Sequence, residues 1–157
     1  MPPLPRTGGM PAVRPMRQAD LPACAAIEAT APDAWGQAQL AEELAYAGAG
    51  GAARLYVAEL DGQVAGLAAF QLAAGEASLN TLAVAPAVRR RGVGEALLRA
   101  ALASLRAQGA QFCFLEVRAG NRPALALYQK LGFARVGVRK GFYHCPPEDG
   151  VVLRCAL

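Results

Sequence analysis

One stretch of the chain, residues 80–99, constrains the fold most because it changes from strand to helix across a glycine turn. The apolar run 82–84 predicts a buried strand, which ends at Pro86 because proline cannot donate to a strand ladder. After the turn Gly92-Val93-Gly94, leucines recur at helical spacing, at positions 97, 98, 102 and 105. Such a turn directs several backbone N–H groups and the positive end of a helix dipole at one place. The stretch therefore predicts a site for a phosphate group.

The glycine turn alone is a weak signal, because a tight turn beside solvated arginines gives the same pattern. It lacks the lysine and the serine or threonine that end a P-loop. It also lacks the third glycine and downstream acid of a dinucleotide-binding fold. Taken by itself, the motif leaves a structural turn and a phosphate site both open.

Composition limits the class of protein. The 157 residues suit one domain with a full core, and with 54% hydrophobic and 18% charged residues we expect a globular chain. No apolar run reaches the length of a membrane span, and the N-terminus lacks a signal core, so we expect a cytoplasmic protein that does not act at a membrane. The net charge of +4 suits an anionic cofactor or an acidic partner and falls short of predicting a nucleic-acid surface.

The cysteines and the one histidine argue against a metal centre. The four cysteines show no CxxC spacing, and Cys113 lies inside an apolar strand, where a buried reduced thiol is expected. His144 alone cannot complete a zinc cluster. The sequence therefore predicts no metal.

Periodicity divides the chain into a flexible N-terminal tail, residues 1–12, and a single domain, residues 13–157. Asp20 is expected to cap the first helix, and Asp61-Gly62 predicts a hairpin. Strands are predicted at 13–17, 55–60, 64–72, the segment before Pro86, 112–117, 135–143 and 151–157, and helices at 20–31, 37–47, from 95 to Gln108, and 123–130. The order β-α-α-β-β-β-α-β-α-β-β predicts a mixed α/β sheet with helices on both faces.

Glu116 is the most informative single residue, because a buried unpaired carboxylate within a strand would cost several kcal/mol. Such a carboxylate either forms an ion pair or faces a functional cleft. Arg118, two residues on and on the same strand face, is available as an ion-pair partner. Tyr128 has two interpretations as well, because its spacing to Ala124 and Leu131 also suits packing on the sheet. Spacing alone does not decide either case.

Two motifs resemble the GNAT acetyltransferases. Residues 89–94, Arg-Arg-Arg-Gly-Val-Gly, resemble the family's Q/R-x-x-G-x-G/A pyrophosphate motif. Residues 115–133 are similar to the longer signature L-E-V-R-x-x-N-x-x-A-x-x-L-Y-x-x-L-G-F of its RimI-type protein N-terminal acetyltransferases. With residues 13–21 and the Trp35 loop, the resemblance covers nearly the whole chain after the tail. It implies a mostly antiparallel sheet whose central parallel strand pair splays apart.

The resemblance implies acetyl-CoA as co-substrate, bound in the opening between the splayed strands. Leu82, Ala83 and Val84 match the strand whose backbone groups hold the pantetheine and the thioester carbonyl. Asn121 matches a further cofactor contact. The pyrophosphate loop corresponds to Arg90, Arg91, Gly92, Val93, Gly94 and Glu95.

The same comparison implies that Glu116 is the general base and Tyr128 the general acid. The chemistry is consistent with these roles. An N-terminal α-amine has a pKa near about 8 and must lose a proton before it attacks. A carboxylate can remove that proton directly or through one water, and a tyrosine with a pKa of about 10 can protonate the departing thiolate.

The acceptor implied by the resemblance is a protein N-terminus, specifically the N-terminal alanine of a small-subunit ribosomal protein. Trp35, Phe142 and Tyr143 would wall the peptide groove, although Phe142 replaces a family tyrosine and lacks its hydroxyl. Gly120 stands where the signature has serine. The acidic pair Glu148 and Asp149 is expected either to receive a basic peptide residue or to form a solvated hairpin turn.

Two other functions stay open at this point. A small-molecule amine or a lysine side chain is an alternative acceptor and would require a deeper, more acidic pocket. A non-catalytic acyl-CoA-binding module is less favoured, because both Glu116 and Tyr128 are present. A monomer or a weak homodimer is expected.

Overall fold

A computed structural model describes residues 9–48 and 50–157, and its centre is a seven-stranded sheet. The strand order is β1-β2-β3-β4-β5-β7-β6. The strands are β1 (Ala12–Pro15), β2 (Ala53–Leu60), β3 (Gln63–Ala73), β4 (Glu76–Val84), β5 (Phe112–Arg118), β6 (Ala134–His144) and β7 (Pro147–Ala156). The helices are α1 (Leu21–Glu28), α2 (Gln37–Ala45), α3 (Val93–Ala107) and α4 (Arg122–Lys130). The predicted order of elements is confirmed.

Several predicted boundaries were wrong. Helix α1 ends at Glu28, three residues early, and the Thr30 hydroxyl donates to the Ile27 carbonyl at 2.7 Å where the chain turns away. Strand β7 begins at Pro147, four residues before the predicted start. The prediction treated Pro147 as a turn residue, but proline is also accepted as the first residue of a strand. Residues 1–8 of the predicted tail lie outside the described residues, and Ala12 already belongs to β1.

Turn chemistry joins the antiparallel strands as predicted. Asp61 and Gly62 both have positive φ, at 47° and 80°, so they form the tight turn whose twist suits a two-residue hairpin. Strands β2, β3 and β4 follow one another as an antiparallel meander. Strands β6 and β7 form the second antiparallel pair, and β7 lies next to β5.

Helices cover both faces of the sheet. Helix α3 buries the predicted leucines, and Gly94 at its start lies against Val84 of β4. On the opposite face, Thr81 of β4 contacts Glu28 of α1. Residues three apart on a strand point to opposite faces, so α1 and α3 enclose the sheet between them. Each fully buried leucine contributes about 1.5–3 kcal/mol.

Asp20 lies at the start of α1 but does not cap that helix with its side chain. Its carboxylate instead accepts hydrogen bonds from Arg14 at 2.7 and 2.8 Å and from the Arg17 N–H at 2.7 Å. The bond from Arg14 is the main reason that the pKa of Asp20 lies below its usual value. The predicted capping role is corrected to an anchor between β1 and the start of α1.

The parallel pair β4–β5 is short. It runs for four residue pairs, from Glu76 with Phe112 to Leu79 with Leu115. On the other side of β4 the register jumps from Leu79 to Thr81, so Asn80 is left in a bulge. Bulges bend a strand and increase its local twist. Beyond this point β4 stays paired with β3 and β5 with β7, so an opening forms between them.

Candidate active site

A cleft of about 790 Å³ lies at the opening between β4 and β5. It brings together seven of the residues predicted from the sequence: Trp35, Leu82, Glu116, Asn121, Tyr128, Phe142 and Tyr143. The remaining predicted residues, Ala83, Val84 and the loop 90–95, do not line this cleft. The predicted site therefore consists of one cleft and a separate loop at the start of α3.

The β4 backbone offers polar groups to the opening at alternate residues. The Ala85 N–H donates to the Ala65 carbonyl of β3 at 2.8 Å. Because backbone groups alternate in direction along a strand, Ala83 also points toward β3, whereas Leu82 and Val84 point toward the separated β5. The Val84 carbonyl accepts a hydrogen bond from Arg89 Nε at 3.1 Å from that side. Of the three residues that the resemblance implied, Leu82 therefore directs both backbone groups at the opening, and Val84 has its N–H left for a ligand.

The glycine turn presents free N–H groups at the start of α3. Gly92 precedes the helix with φ of 78°, and the first helical hydrogen bond runs from the Ala96 N–H to the Gly92 carbonyl at 3.0 Å. The N–H groups of Val93, Gly94 and Glu95 come before that bond and have no helical acceptor. Gly92, at the N-cap position, has no side chain that could cap them. The turn therefore retains the geometry of an anion site.

Several charged side chains lie around the turn. Arg89 donates to the Val84 carbonyl and to the Thr30 hydroxyl at 2.9 Å, so it fastens the loop to the chain after α1. Arg90 and Arg91 are exposed. The Glu95 carboxylate lies 2.6 Å from Lys130 Nζ, and this bond lowers the pKa of Glu95. The Glu95 side chain is thus engaged, and its backbone N–H is the group left for a ligand.

Glu116 faces the cleft and forms an ion pair, though not with Arg118. Its carboxylate lies 3.1 Å from Nε of Arg139 on β6. Arg118 turns away and binds Asp33 and Glu148. Arg118, which the sequence offered as one available partner, does not pair with Glu116, because Asp33 and Glu148 hold its guanidinium.

Tyr128 packs in the core, as its spacing predicted, and also lines the cleft, so its catalytic role stays a prediction. Its ring meets Phe133 edge-on, with centroids 5.7 Å apart. Burial raises the pKa of Tyr128 above its usual value. Among the described residues, its hydroxyl has no hydrogen-bond partner by ordinary geometric criteria. The phenol is therefore held protonated beside the cleft.

Aromatic side chains form two walls of the cleft. Trp35 lies on the loop between α1 and α2, and Phe142 and Tyr143 lie near the end of β6. The rings of Phe142 and Tyr143 are nearly perpendicular, with centroids 5.0 Å apart. Gly150 of β7 leaves the space that Phe142 occupies, since a Cβ there would lie 3.3 Å from it.

Asn121 begins α4 and caps it. Its side-chain oxygen accepts a hydrogen bond from the Ala124 N–H at 3.2 Å, which is a common role for asparagine at this position. The side-chain NH₂ group is left to donate elsewhere. Because Asn121 lines the cleft, this donor is available to a ligand there.

Glu28 is a site residue that the sequence prediction missed. It is 1% exposed and accepts hydrogen bonds from the Thr81 hydroxyl and, at 3.0 Å, from the Trp35 N–H. It thus joins α1, the bulged part of β4 and the Trp35 loop. The signal was its position on the buried side of α1, directly after Ile27, where a charged residue is unusual.

The acidic pair in the β6–β7 hairpin is structural. Glu148 accepts hydrogen bonds from Arg118 at 3.3 Å and from the Gly120 N–H. Asp149 accepts from the Gly141 N–H at 2.8 Å. The expectation of a solvated turn was therefore wrong for Glu148, which links β5 and the start of α4 to the hairpin.

Other sequence expectations concern metals and thiols. Residues 9–48 and 50–157 contain no group of three or more histidine, cysteine or acidic side chains that could hold a metal ion. Cys113 is buried, as predicted, and burial raises its pKa to about 12. No helix in the described part of the chain is both long and apolar enough to cross a membrane.

Comparison with protein families identifies the class. Residues 21–133 match the model of the acetyltransferase (GNAT) family. The chain belongs to this family. The resemblance inferred from the two sequence motifs is therefore confirmed.

Individual members of the family are similar to this chain in sequence and in structure. The [ribosomal protein bS18]-alanine N-acetyltransferase of Escherichia coli K12 is 40% identical over 90 residues, or 57% of this chain. The match spans 60% of that relative's length. The crystal structure of the ribosomal-protein-S18-alanine N-acetyltransferase from Escherichia coli superposes with a TM-score of 0.84 at 31% identity, covering 94% of each chain. A GNAT acetyltransferase from Elizabethkingia anophelis with acetyl-CoA bound has a TM-score of 0.77 at 18% identity over 94% of this chain and 98% of its own, and so shows the fold.

Proposed function

We propose that this chain transfers the acetyl group of acetyl-CoA to the N-terminal α-amine of a protein. The observation that carries the proposal is the opening between β4 and β5, with Glu116 and Tyr128 both on its lining. The amine nitrogen attacks the thioester carbonyl within a ternary complex, so the C–N bond forms and the C–S bond breaks. No covalent acyl-enzyme is required.

Two groups of backbone donors suit acetyl-CoA. The outward N–H groups of Leu82 and Val84 match a thioester carbonyl and the pantetheine amides, and they would stabilise the developing oxyanion. The N–H groups of Val93, Gly94 and Glu95 suit the pyrophosphate, with Arg90 and Arg91 adding charge. The side-chain NH₂ group of Asn121 adds a donor inside the cleft.

Proton transfer is assigned to Glu116 and Tyr128. Glu116 accepts the proton that the attacking amine must lose, directly or through one water. Tyr128 donates a proton to the departing thiolate. The place of Tyr128 on the lining of the cleft supports that role, because the departing thiolate would lie there.

The acceptor we favour is an N-terminal alanine of a small-subunit ribosomal protein, as in the names of the Escherichia coli relatives. Support comes from the walls of the cleft. Trp35 comes from the loop after α1 and Tyr143 from β6, and the cleft that both side chains line suits an extended peptide. This acceptor places the reaction in the cytoplasm.

The test is acetyl transfer from acetyl-CoA to a panel of eight-residue peptides that differ in their first residue. Matched controls are a peptide with a blocked N-terminus and an internal lysine, and small free amines. We expect the highest kcat/KM for the alanine-initial peptide and no transfer to the blocked one. Equal rates on the free amines or on the lysine peptide would overturn the assignment to an α-amine, and binding of acetyl-CoA without turnover would indicate a non-catalytic module.

A further inference from the structure

Arg118 is a buried arginine at the end of β5 whose five N–H groups all donate. Nε and Nη2 bind the two carboxylate oxygens of Asp33, each at 2.9 Å. Nη1 donates to the Pro146 carbonyl at 2.8 Å and to Glu148 at 3.3 Å, and Nη2 also donates to the Cys145 carbonyl at 3.2 Å. An arginine has five such donors, so the guanidinium is fully used within the protein.

These bonds join three segments that are far apart in sequence. Asp33 lies on the loop between α1 and α2, two residues before Trp35. Cys145, Pro146 and Glu148 belong to the β6–β7 hairpin, and the guanidinium lies 4.4 Å from the centre of the Tyr143 ring. Arg118 itself is two residues beyond Glu116 on the same face of β5. The side chain therefore connects both aromatic walls of the cleft to the strand that carries the proposed base.

We propose that Arg118 is a positioning residue that sets the separation of these two walls and so limits the size of the first acceptor residue. The inference rests on the proposed function. Because Trp35, Glu116 and Tyr143 line the same cleft, an α-amine held at Glu116 would bring the first side chain of the peptide close to the Trp35 loop and Tyr143. A fixed separation admits a small side chain there and excludes a large one.

The bidentate geometry makes the connection through Arg118 rigid. Two parallel bonds to Asp33 fix the direction of the loop as well as its distance. Lysine carries a compact charge without the planar fork, so it cannot hold Asp33 and the hairpin carbonyls in the same way. Asp33 keeps about half of its side chain exposed, at 49%, so it can be altered with little effect on the core.

The experiment measures kcat and KM for alanine-, serine- and leucine-initial peptides with the wild type, Arg118→Met, Arg118→Lys and Asp33→Asn. Glu42→Gln is the charge-matched control, because Glu42 is an exposed carboxylate on α2 that does not line the cleft. The KM for acetyl-CoA and the melting temperature are recorded for every variant. Asp33→Asn keeps the test decisive if the Arg118 variants do not fold.

We expect both Arg118 variants to raise the peptide KM about tenfold and to reduce the preference for alanine over leucine at least about fivefold. Asp33→Asn should shift both quantities in the same direction by a smaller factor, with the KM for acetyl-CoA within about twofold of wild type. A uniform fall in kcat with an unchanged alanine preference would overturn the positioning role. Failure of the wild type on every peptide would instead overturn the proposed function.

Discussion

The Glu116 carboxylate lies 3.1 Å from Nε of Arg139, and both side chains line the cleft. The two partners differ in exposure, with 25% of the Glu116 side chain and 60% of the Arg139 side chain accessible. An ion pair in which one partner is largely exposed contributes only about 0–1 kcal/mol. The Arg139 side chain can therefore move into solvent at a small cost in free energy, which leaves the Glu116 carboxylate available to an amine.

Replacing Glu116 by glutamine keeps the shape of the side chain and removes its ability to accept a proton. We expect kcat to fall about 10²- to 10⁴-fold, the usual range for loss of a general base. The dissociation constant of acetyl-CoA, measured by calorimetry, should stay unchanged. Glu76→Gln is the control, because Glu76 is an exposed carboxylate that lines the same cleft. A rate for Glu116→Gln close to that of the control would remove Glu116 from the mechanism.

Tyr128→Phe removes one hydroxyl and keeps the edge-on contact with Phe133. We expect kcat to fall at least about 10²-fold, while the free energy of unfolding at neutral pH changes by less than about 1 kcal/mol. Activity that is undiminished across the pH range would leave Tyr128 with a packing role alone.

The raised pKa of Tyr128 also predicts a pH effect on stability. The unfolded tyrosine loses its proton near about pH 10, whereas the buried one keeps it to higher pH. In that window the folded chain binds more protons than the unfolded chain, so wild-type stability falls as pH rises. Urea titrations of wild type and Tyr128→Phe above pH 10 measure this slope, which should be shallower for the variant.

Glu28 accepts two hydrogen bonds inside the protein, so its replacements should differ sharply in how much they destabilise the chain. Leucine at this position leaves the Trp35 N–H and the Thr81 hydroxyl without their acceptor, at a cost of about 1–3 kcal/mol each. Glutamine can accept from Trp35 and donate to the Thr81 oxygen, so Glu28→Gln should cost less than Glu28→Leu. Chemical denaturation of both variants checks this order. Equal losses would mean that these bonds do not stabilise the Trp35 loop.

Gly92 has φ of 78°, a conformation that costs a residue with a Cβ about 1–2 kcal/mol. Gly92→Ala should therefore destabilise the chain by about that amount and raise the KM for acetyl-CoA, because the turn at the start of α3 is disturbed. Gly94→Ala is the matched control. Its Cβ would meet Leu127 and Val84 at 3.5 Å, an ordinary contact, so its stability should stay near that of the wild type. If the two variants behave alike, the positive φ at Gly92 is not needed.

The order of strands and helices could be predicted from the sequence because each element carries its own periodicity. The leucines of α3 repeat every three or four residues, and Asp61-Gly62 fixes a hairpin locally. The ends of β7 and α1 could not be predicted in the same way. Pro147 and Gly150 read as turn residues, yet both lie within the paired strand β7.

Much of the site was beyond prediction from spacing, because its contacts join residues distant in sequence. Glu116 was recognised as a carboxylate in need of a partner, but its partner Arg139 comes from β6, which pairs with β7 rather than β5. Arg118 was taken as a neighbour on the same strand, and its actual partner, Asp33, is 85 residues away. Such pairs follow from the strand order, which the local pattern does not determine.

Only four residue pairs join the half of the sheet that ends in β4 to the half that begins with β5, whereas β5 and β7 share seven. This boundary has as few residue pairs as the β1–β2 edge of the sheet, and it runs directly through the cleft. A ligand that binds residues of both β4 and β5 would connect the two halves of the sheet. By mass action, it would then raise the melting temperature of the whole chain.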